Sequence, residues 1–386
     1  MEDPVKPDDS DTKWKGYHGH TRAKHNLLDY YLNPWMKILG SNSSKLRVFD
    51  CFAGRGDYLG EQTADPVELE HIDTSSVVPG SPQIILNNAC EFIHLTDKIE
   101  CVFIEKEEKN ARILSENLPD ESKFPDGVSY DIVVGKFQDK TIPEIEQRGG
   151  WDIPTFLFID PFGYSQLDYD VVTTISQSDG FEVLINLMAS QVVRWQDVDK
   201  QQDALQRPFG TSAWREELET HQAGPLDDKE VSYYCRRLEE NGPKHTIAYL
   251  VTREDSDAMV YYMIFGTNNP KGLEVMRDAM NEIGPGEFAY APNRPGRHQD
   301  QAGLDSWSEN EVRQKLKELF SGRELSFESI VSEYVQEATY STHRRKDIRR
   351  ELKDMEDEGI IGIERITSQT PAGLSGDDVV NFPQFE

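Results

Sequence analysis

Cysteine is scarce in this chain of 386 residues, which contains only Cys51, Cys90, Cys101 and Cys235. No two of them form a C-x-x-C pair, and four are too few for the disulfide framework of a small secreted protein. A reducing cytoplasm is therefore the expected compartment. His18, His20 and His25 lie close together in sequence, but no cysteine or further histidine supports a metal site, so no metal is expected.

Long apolar runs and net positive charge are also missing. No run approaches the roughly 20 residues of a membrane span, and no signal peptide precedes the acidic start MEDPVKPDDSD, so no membrane partner is expected. The 41 Lys and Arg residues face 70 Asp and Glu residues, which gives a net charge of −29. This charge excludes bulk attraction to nucleic acid but not a local basic patch, and it would also suit a saline cytoplasm.

The sequence does contain short apolar runs that alternate with helical patterns. Five runs are apolar nearly throughout, as in a parallel sheet covered on both faces: 46–50, 101–105, 129–137, 155–160 and 182–188. The runs 245–253 and 258–267 are separated by four residues, which permits only an antiparallel hairpin. We therefore expect a doubly wound, mostly parallel α/β sheet with a terminal hairpin, the outline of the class I methyltransferase fold.

Changes in composition predict the domain organisation. The region 14–39 has the pattern of an amphipathic helix that Pro34 should kink or break. Three helices and a strand near the C-terminus resemble a winged-helix module. The predicted segments are an acidic lead (1–13), an α/β domain (14–283) with insertions at 61–79 and 190–243, a linker (284–305), a winged-helix-like domain (306–367) and a tail (368–386).

A glycine-containing loop, DCFAGRG, follows the first predicted strand, at the sheet edge where doubly wound proteins bind ligands. Gly54 and Gly56 remove side chains where a backbone must approach a ligand, and Asp50 can accept hydrogen bonds from an ammonium group or from loop amides. Glu105 ends the second strand, where an acidic residue often binds ribose hydroxyls, and the 61–79 insertion explains its distance from the loop. An ordinary glycine turn and a solvated carboxylate remain the alternative.

The fourth strand ends in Asp160-Pro161-Phe162-Gly163. Amino methyltransferases carry an Asp/Asn-Pro-Pro-aromatic segment at this place, in which the acidic or amide side chain accepts amine hydrogens and the aromatic ring stacks on a base. The match is partial because Phe162 replaces the second proline. A strand-ending turn with a core phenylalanine is the alternative interpretation.

Together these segments, with PGSPQIIL, VFIEK and YYMIFGTNNPKGLEVMRDAM, resemble the three-Cys-motif partner family (TcmP) over about residues 14–290. The resemblance implies an S-adenosylmethionine cofactor and a separate three-cysteine, radical-SAM-like partner protein. It implies contacts to the acceptor from Asp160 and Phe162, which are the candidate catalytic residues. The cofactor contacts that it implies are Asp50, Ala53, Gly54, Gly56, Glu105, Lys136 and Phe137.

Several basic residues allow both a ligand-binding interpretation and a purely structural one. His20, Arg22 and Lys24 either fold over the cofactor or form a polar helix entry. Lys271 either assists an anionic ligand or simply follows an Asn-Pro cap. The third C-terminal helix is locally basic, and in a winged helix this element contacts DNA or RNA. Its candidate nucleic-acid contacts are Arg344, Arg345, Lys346, Arg349 and Arg350, with a solvated or protein-docking face as the alternative.

The function that these observations favour is a methyltransferase acting on nucleic acid, with a base amine as the more specific acceptor. Two alternatives remain open. The first is a non-catalytic partner of the three-cysteine protein, and the second is a DNA-binding regulator whose α/β domain senses a ligand.

Overall fold

The structure is a computed structural model that describes residues 19–58, 78–188, 202–221, 229–253, 256–283, 288–290, 309–337, 343–366 and 373–385. The predicted acidic lead lies outside the described residues, as do most of the 61–79 insertion, most of the linker and part of the 190–243 insertion. Within the described ranges, no helix is both long enough and apolar enough to cross a membrane.

One eight-stranded sheet organises the α/β domain. Its strands are β1 (Lys45–Asp50), β4 (Lys98–Glu105), β5 (Val128–Val134), β6 (Thr155–Ile159), β7 (Phe181–Leu187), β8 (His245–Arg253), β9 (Ser256–Thr267) and β10 (Phe288–Tyr290), and β2 (Asp57–Tyr58) pairs separately with β3 (Val78–Pro79). The strand order is β10-β8-β9-β7-β6-β1-β4-β5. Strands β1 and β4 to β7 run parallel, whereas β8 to β10 pair antiparallel. The predicted doubly wound fold with a terminal hairpin is confirmed.

The order of the sheet determines where a ligand can bind. Strand β1 pairs with β4 on one side and with β6 on the other, so the chain reverses its direction of travel across the sheet at β1. Crevices outside the carboxyl ends of the strands at such a reversal are the usual ligand sites of doubly wound sheets. The predicted cofactor loop directly follows β1.

The edge strand β10 was not predicted. It lies inside the segment 284–305, which is rich in glycine and proline, and it pairs antiparallel with β8. Three residues are too short for a period-two pattern to stand out, so only the neighbouring strand reveals it.

Helices cover both faces of the sheet. They are α1 (Gly19–Gly40), α2 (Ser81–Phe92), α3 (Glu108–Asn117), α4 (Phe137–Gln147), α5 (Tyr169–Ser176), α6 (Gln202–Phe209), α7 (Trp214–Thr220), α8 (Lys229–Asn241) and α9 (Pro270–Glu282). The sequence predicted that Pro34 would kink or break α1. The helix continues past Pro34, so it is not broken there. Buried side chains before and after it, among them Leu28, Tyr31 and Trp35, hold both parts of α1 on the same apolar core. This packing outweighs the loss of one backbone hydrogen bond.

The C-terminal unit (309–385) contains α10 (Glu309–Phe320), β11 (Glu324–Ser326), α11 (Phe327–Glu337), α12 (Arg345–Asp357), β12 (Gly362–Glu364) and β13 (Val379–Asn381). The three strands form an antiparallel sheet in the order β11-β13-β12. Its apolar core is continuous with the core under α1 and α9. Arg277 of α9 is buried there and donates hydrogen bonds to the carbonyls of Val335 (3.2 Å) and His343 (3.1 Å).

Candidate functional site

The loop after β1 turns sharply because two of its glycines adopt positive φ angles. Gly54 has a φ of 64° and Gly56 a φ of 81°, values that other residues adopt only at a cost. A Cβ atom on Gly56 would also lie 2.5 Å from a methyl carbon of Leu114. Ala53, also a predicted cofactor residue, is buried, and its amide donates to the carbonyl of Ile104 (3.0 Å). The loop therefore packs closely against β4 and α3.

Glu105, at the end of β4, holds this loop in place. Its Oε2 accepts a hydrogen bond from the Gly54 amide (3.0 Å), and its Oε1 accepts one from the Glu107 amide (2.8 Å). Burial raises the pKa of Glu105, and these hydrogen bonds offset part of the increase. The sequence suggested ribose binding or a solvated carboxylate, whereas the structure shows a buried carboxylate that links two loops.

Asp50 is the most enclosed of the predicted site residues. Its side chain is fully buried, and Oδ1 accepts a hydrogen bond from the Phe52 amide (3.1 Å). Oδ2 is buried without a well-formed hydrogen bond to any described residue. Burial raises the pKa of Asp50 to about 7, while the Ser81 hydroxyl and the Phe52 amide lower it in part. An acceptor of this kind favours a ligand that donates hydrogen bonds.

A cavity of about 150 Å³ opens beside the loop, at the carboxyl ends of β1, β4 and β5. Among its lining residues are three of the predicted cofactor residues, Glu105, Lys136 and Phe137, together with Phe162. Sequence reasoning missed Phe52, whose ring packs against that of Phe137 with centroids 5.5 Å apart. Its position inside the glycine loop was the available signal. The two rings give the cavity an apolar wall suited to a planar group.

Asp160 is held by two partners from different elements. Its Oδ1 accepts a hydrogen bond from the Asn186 side chain (2.7 Å), and its Oδ2 forms an ion pair with Lys24 of α1. The side chains of Lys24 and Asp160 are 12% and 14% exposed, so water screens this pair only partly. Phe162, two residues farther along, is half exposed at 50%. Its ring therefore lies at the surface, unlike the core phenylalanine of the alternative interpretation.

Two further polar residues, Asn186 and His25, belong to this cluster. Like Asp160, Asn186 is a polar residue at the carboxyl end of a buried strand. Its Oδ1 is buried and accepts no hydrogen bond from a described residue. His25 is buried next to Lys24. Burial is the main reason why its pKa is lowered to about 3, and the positive charge of Lys24 contributes to the decrease. His25 is therefore neutral at physiological pH.

The predicted nucleic-acid residues of α12 differ in their surroundings. Arg345 forms ion pairs with Glu328 (2.5 Å) and Glu274 (3.5 Å), and Arg344 pairs with Glu282 (3.3 Å). Arg349 lies over the ring of Phe327. By contrast, Lys346 and Arg350 are exposed. The structure thus turns three of the five side chains toward the rest of the protein.

The comparisons with known proteins give little beyond the fold. No known family description matches the chain, and no curated protein resembles it in sequence. Among solved structures, the chain is similar to a Legionella pneumophila protein assigned to family DUF519, with 14% identity and a TM-score of 0.41 over 70% of this chain and 96% of that one. It is also similar to a probable spermidine synthase from Corynebacterium glutamicum, with 8% identity and a TM-score of 0.35 over 68% of this chain and 74% of the synthase. At this distance neither likeness supports an argument about activity.

Proposed function

We propose that the protein binds S-adenosylmethionine and transfers its methyl group to an amine, as a member of the TcmP family that its sequence resembles. One observation carries this proposal. The cavity lies beside the glycine loop, at the point where the sheet order reverses, and it brings together Glu105, Phe52 and Phe137. These three residues supply an acidic group and an apolar wall, which suit the ribose and adenine of this cofactor.

The residues present fit different parts of the cofactor. The cavity of about 150 Å³ is smaller than the roughly 300–1,000 Å³ of common ligand pockets, so it would hold only part of the molecule. Asp50, whose buried Oδ2 has no well-formed hydrogen bond to a described residue, suits the cofactor's ammonium group. When bound, S-adenosylmethionine supplies an activated methyl group on its sulfonium. The protein then needs chiefly to position the acceptor, which requires no covalent nucleophile.

Asp160 would receive the acceptor amine. Its carboxylate accepts hydrogen bonds, and the adjacent exposed ring of Phe162 offers a surface for a planar substrate. Asn186 keeps the carboxylate in one orientation through the 2.7 Å hydrogen bond. Lys24 occupies the other carboxylate oxygen, so an incoming amine must displace its ammonium group.

The same ion pair favours a second candidate function. If Lys24 stays on Asp160, the protein binds the cofactor without transferring a methyl group and acts as the partner of a three-cysteine, radical-SAM-like protein. Copurification with such a protein, without methyl transfer by the pair, is the expected result for this candidate.

Cofactor binding is tested by titration calorimetry with S-adenosylmethionine. Stacking of a base on an aromatic side chain is worth about 1–3 kcal/mol, so we expect Phe137→Ala to bind about 5- to 150-fold more weakly. Phe124→Ala is the matched control, because Phe124 is partly buried against Tyr130 and does not line the cavity. Equal affinity of both variants and the wild type would place the cofactor elsewhere.

Methyl transfer is tested by incorporation of labelled methyl groups into RNA and DNA fragments. We expect Asp160→Ala to retain cofactor binding and to lose about 100-fold in transfer, because the variant has no side-chain oxygen to accept the hydrogens of the acceptor amine. Transfer at the wild-type rate would remove Asp160 from the chemistry. Cofactor binding without transfer by the wild type to any acceptor would favour the non-catalytic candidate.

We infer that the C-terminal unit is a winged-helix module. Its elements follow one another as α10-β11-α11-α12-β12-β13, in agreement with the three helices and wing strands expected of that module. In nucleic-acid-binding modules of this kind the third helix is the element that contacts the nucleic acid, so α12 is one candidate surface for it. Lys346 and Arg350 are the predicted contacts that remain exposed on it.

A further inference from the structure

We propose that an unpaired nucleic-acid strand binds at the mouth of the cavity, rather than on α12, and that its phosphates contact Lys106, Lys136 and Arg207. We call these three cations and the ring of Phe162 the cavity rim. The proposal rests on the proposed function, since it identifies the substrate class of the same site.

The rim reverses the charge of the surrounding protein. All three cations line the cavity, and the acidic residue among its described lining residues, Glu105, already accepts hydrogen bonds from the Gly54 and Glu107 amides. The chain as a whole carries a charge of −29, so three cations around one opening create a local site for anions. The side chains of Lys106 and Arg207 are 46% and 47% exposed, and Lys136 is exposed too.

Their present partners hold these cations only loosely. Lys106 lies 3.4 Å from the exposed carboxylate of Glu107, and the exposed side chain of Arg207 lies 3.7 Å from the partly buried carboxylate of Asp168. Exposed pairs of this kind contribute about 0–1 kcal/mol. Lys136 forms no ion pair with a described residue. Phosphates can therefore replace the existing contacts at little cost.

The cofactor does not explain the rim. S-adenosylmethionine carries a sulfonium and an ammonium against one carboxylate, so its net charge is positive and three cations at the opening oppose it. A negatively charged second ligand is the simpler explanation. A polynucleotide supplies phosphates on both sides of the opening as well as a base for the site.

The depth of Asp160 favours an unpaired strand. Its side chain is 14% exposed, so a base that remains stacked in a duplex cannot bring its amine to the carboxylate. Phe162 is half exposed beside it and offers a stacking surface, the feature that proteins binding single strands combine with cationic grooves. By contrast, the acidic residues around Arg344 and Arg345 already neutralise much of the α12 charge.

The test measures binding of fluorescent 20-nucleotide single strands, RNA and DNA, to the full chain over a series of salt concentrations. Lys106→Ala/Arg207→Ala, which leaves the predicted cofactor residue Lys136 in place, is compared with Lys346→Ala/Arg350→Ala, which removes the same charge from the exposed face of α12. We expect the rim variant to bind at least about tenfold more weakly. The slope of its log affinity against log salt concentration should be less steep by about 1.4, because each lost single-strand phosphate contact contributes about 0.7. The α12 variant should keep the wild-type slope, and the corresponding duplex should bind more weakly than either strand.

Further arms separate the possible failures. Adenosine monophosphate, which has a single phosphate, should compete only at far higher concentrations than the strand, and Phe162→Ala should weaken strand binding without changing the slope. Circular dichroism and calorimetry with S-adenosylmethionine check that the rim variant is folded and keeps its cofactor site. If the wild type binds no cofactor but the rim effect is seen, the proposed function fails and the rim proposal stands. An unchanged slope in the rim variant, a loss confined to the α12 variant, or equal binding of duplex and strand would overturn the rim proposal.

Discussion

At the scale of single residues, two carboxylates at neighbouring strand ends have different surroundings. Asp160, after β6, has Lys24 and Asn186 as partners. Asp50, at the end of β1, is fully buried, its Oδ2 has no well-formed hydrogen bond within the described part of the chain, and burial raises its pKa to about 7. Two similar side chains are thereby suited to different tasks, since one is a paired acceptor and the other carries only part of its charge near neutral pH.

The raised pKa of Asp50 predicts a specific dependence of stability on pH. The folded protein holds the Asp50 proton more tightly than the unfolded chain, whose aspartate pKa is about 3.9, so this group's contribution is lost as the pH rises through about 7. Asp50→Asn stays neutral at every pH. The variant should therefore gain stability relative to wild type between about pH 5 and about pH 8, with an increase in its relative free energy of unfolding of about 2.5 kcal/mol.

Urea unfolding of both proteins at the two pH values measures this difference. Groups that are common to both proteins cancel in the comparison, so only Asp50 contributes to the change. The same difference at both pH values would mean that the Asp50 pKa is not raised.

At the scale of elements, the start of α9 shows how a predicted turn acquires a tertiary role. The side chain of Asn269 accepts a hydrogen bond from the Lys271 amide (2.9 Å), and Pro270 occupies the first turn, so the predicted capping is confirmed. Lys271 pairs with Glu274 (2.8 Å). The capping was visible in the sequence, but the contact of Gly272 with the sheet was not.

Gly272→Ala tests that contact. Alanine favours a helix over glycine by up to about 1 kcal/mol, but the new Cβ would overlap the buried Glu182 carboxylate and lie 2.8 Å from Thr267 Oγ1. Overpacking of a core costs about 1–3 kcal/mol, so we expect net destabilisation of about 1 kcal/mol in urea unfolding. In a Glu182→Ala background the overlap with Glu182 disappears and the close contact with Thr267 remains, so Gly272→Ala should cost less than in the wild type. An equal cost in both backgrounds would contradict the assigned cause.

At the scale of the whole molecule, the net charge of −29 opposes folding through self-repulsion. Local ion pairs act in the other direction, as around Arg148, which contacts Glu100 (3.2 Å), Asp131 (2.6 Å) and Glu144 (3.0 Å). Salt weakens both effects. The repulsion involves many more groups than the pairs do, so its screening should dominate.

We therefore expect KCl to raise the free energy of unfolding by at least about 1 kcal/mol between low salt and about 1 M, over which the Debye length falls to about 3 Å. The midpoint of thermal unfolding should rise by at least about 2 °C. Choline chloride at the same concentrations is the control, since screening acts with either cation. Full stability in low salt, with no change on addition of KCl, would contradict the saline-adapted interpretation of the charge.

The composition of single segments determined much of this architecture. Runs such as VFI (102–104) and FLFI (156–159) are apolar without interruption, which indicates burial on both faces and therefore a parallel sheet between helices. Because the carboxyl ends of parallel strands share one edge, the same pattern brought the glycine loop, Glu105, Lys136 and Asp160 to that edge. The strand β10 escaped prediction because its pairing is not local.

Partnerships between distant residues were decided only by the tertiary structure. Lys24 meets Asp160 across 136 positions, and Arg277 meets His343 across 66. Burial of the Asp50 carboxylate and the gathering of three cations at one cavity also depend on several elements at once. Apolar periodicity is a property of each segment and can be read along the chain, whereas the partner of a charge is set by packing in three dimensions, which local pattern does not encode.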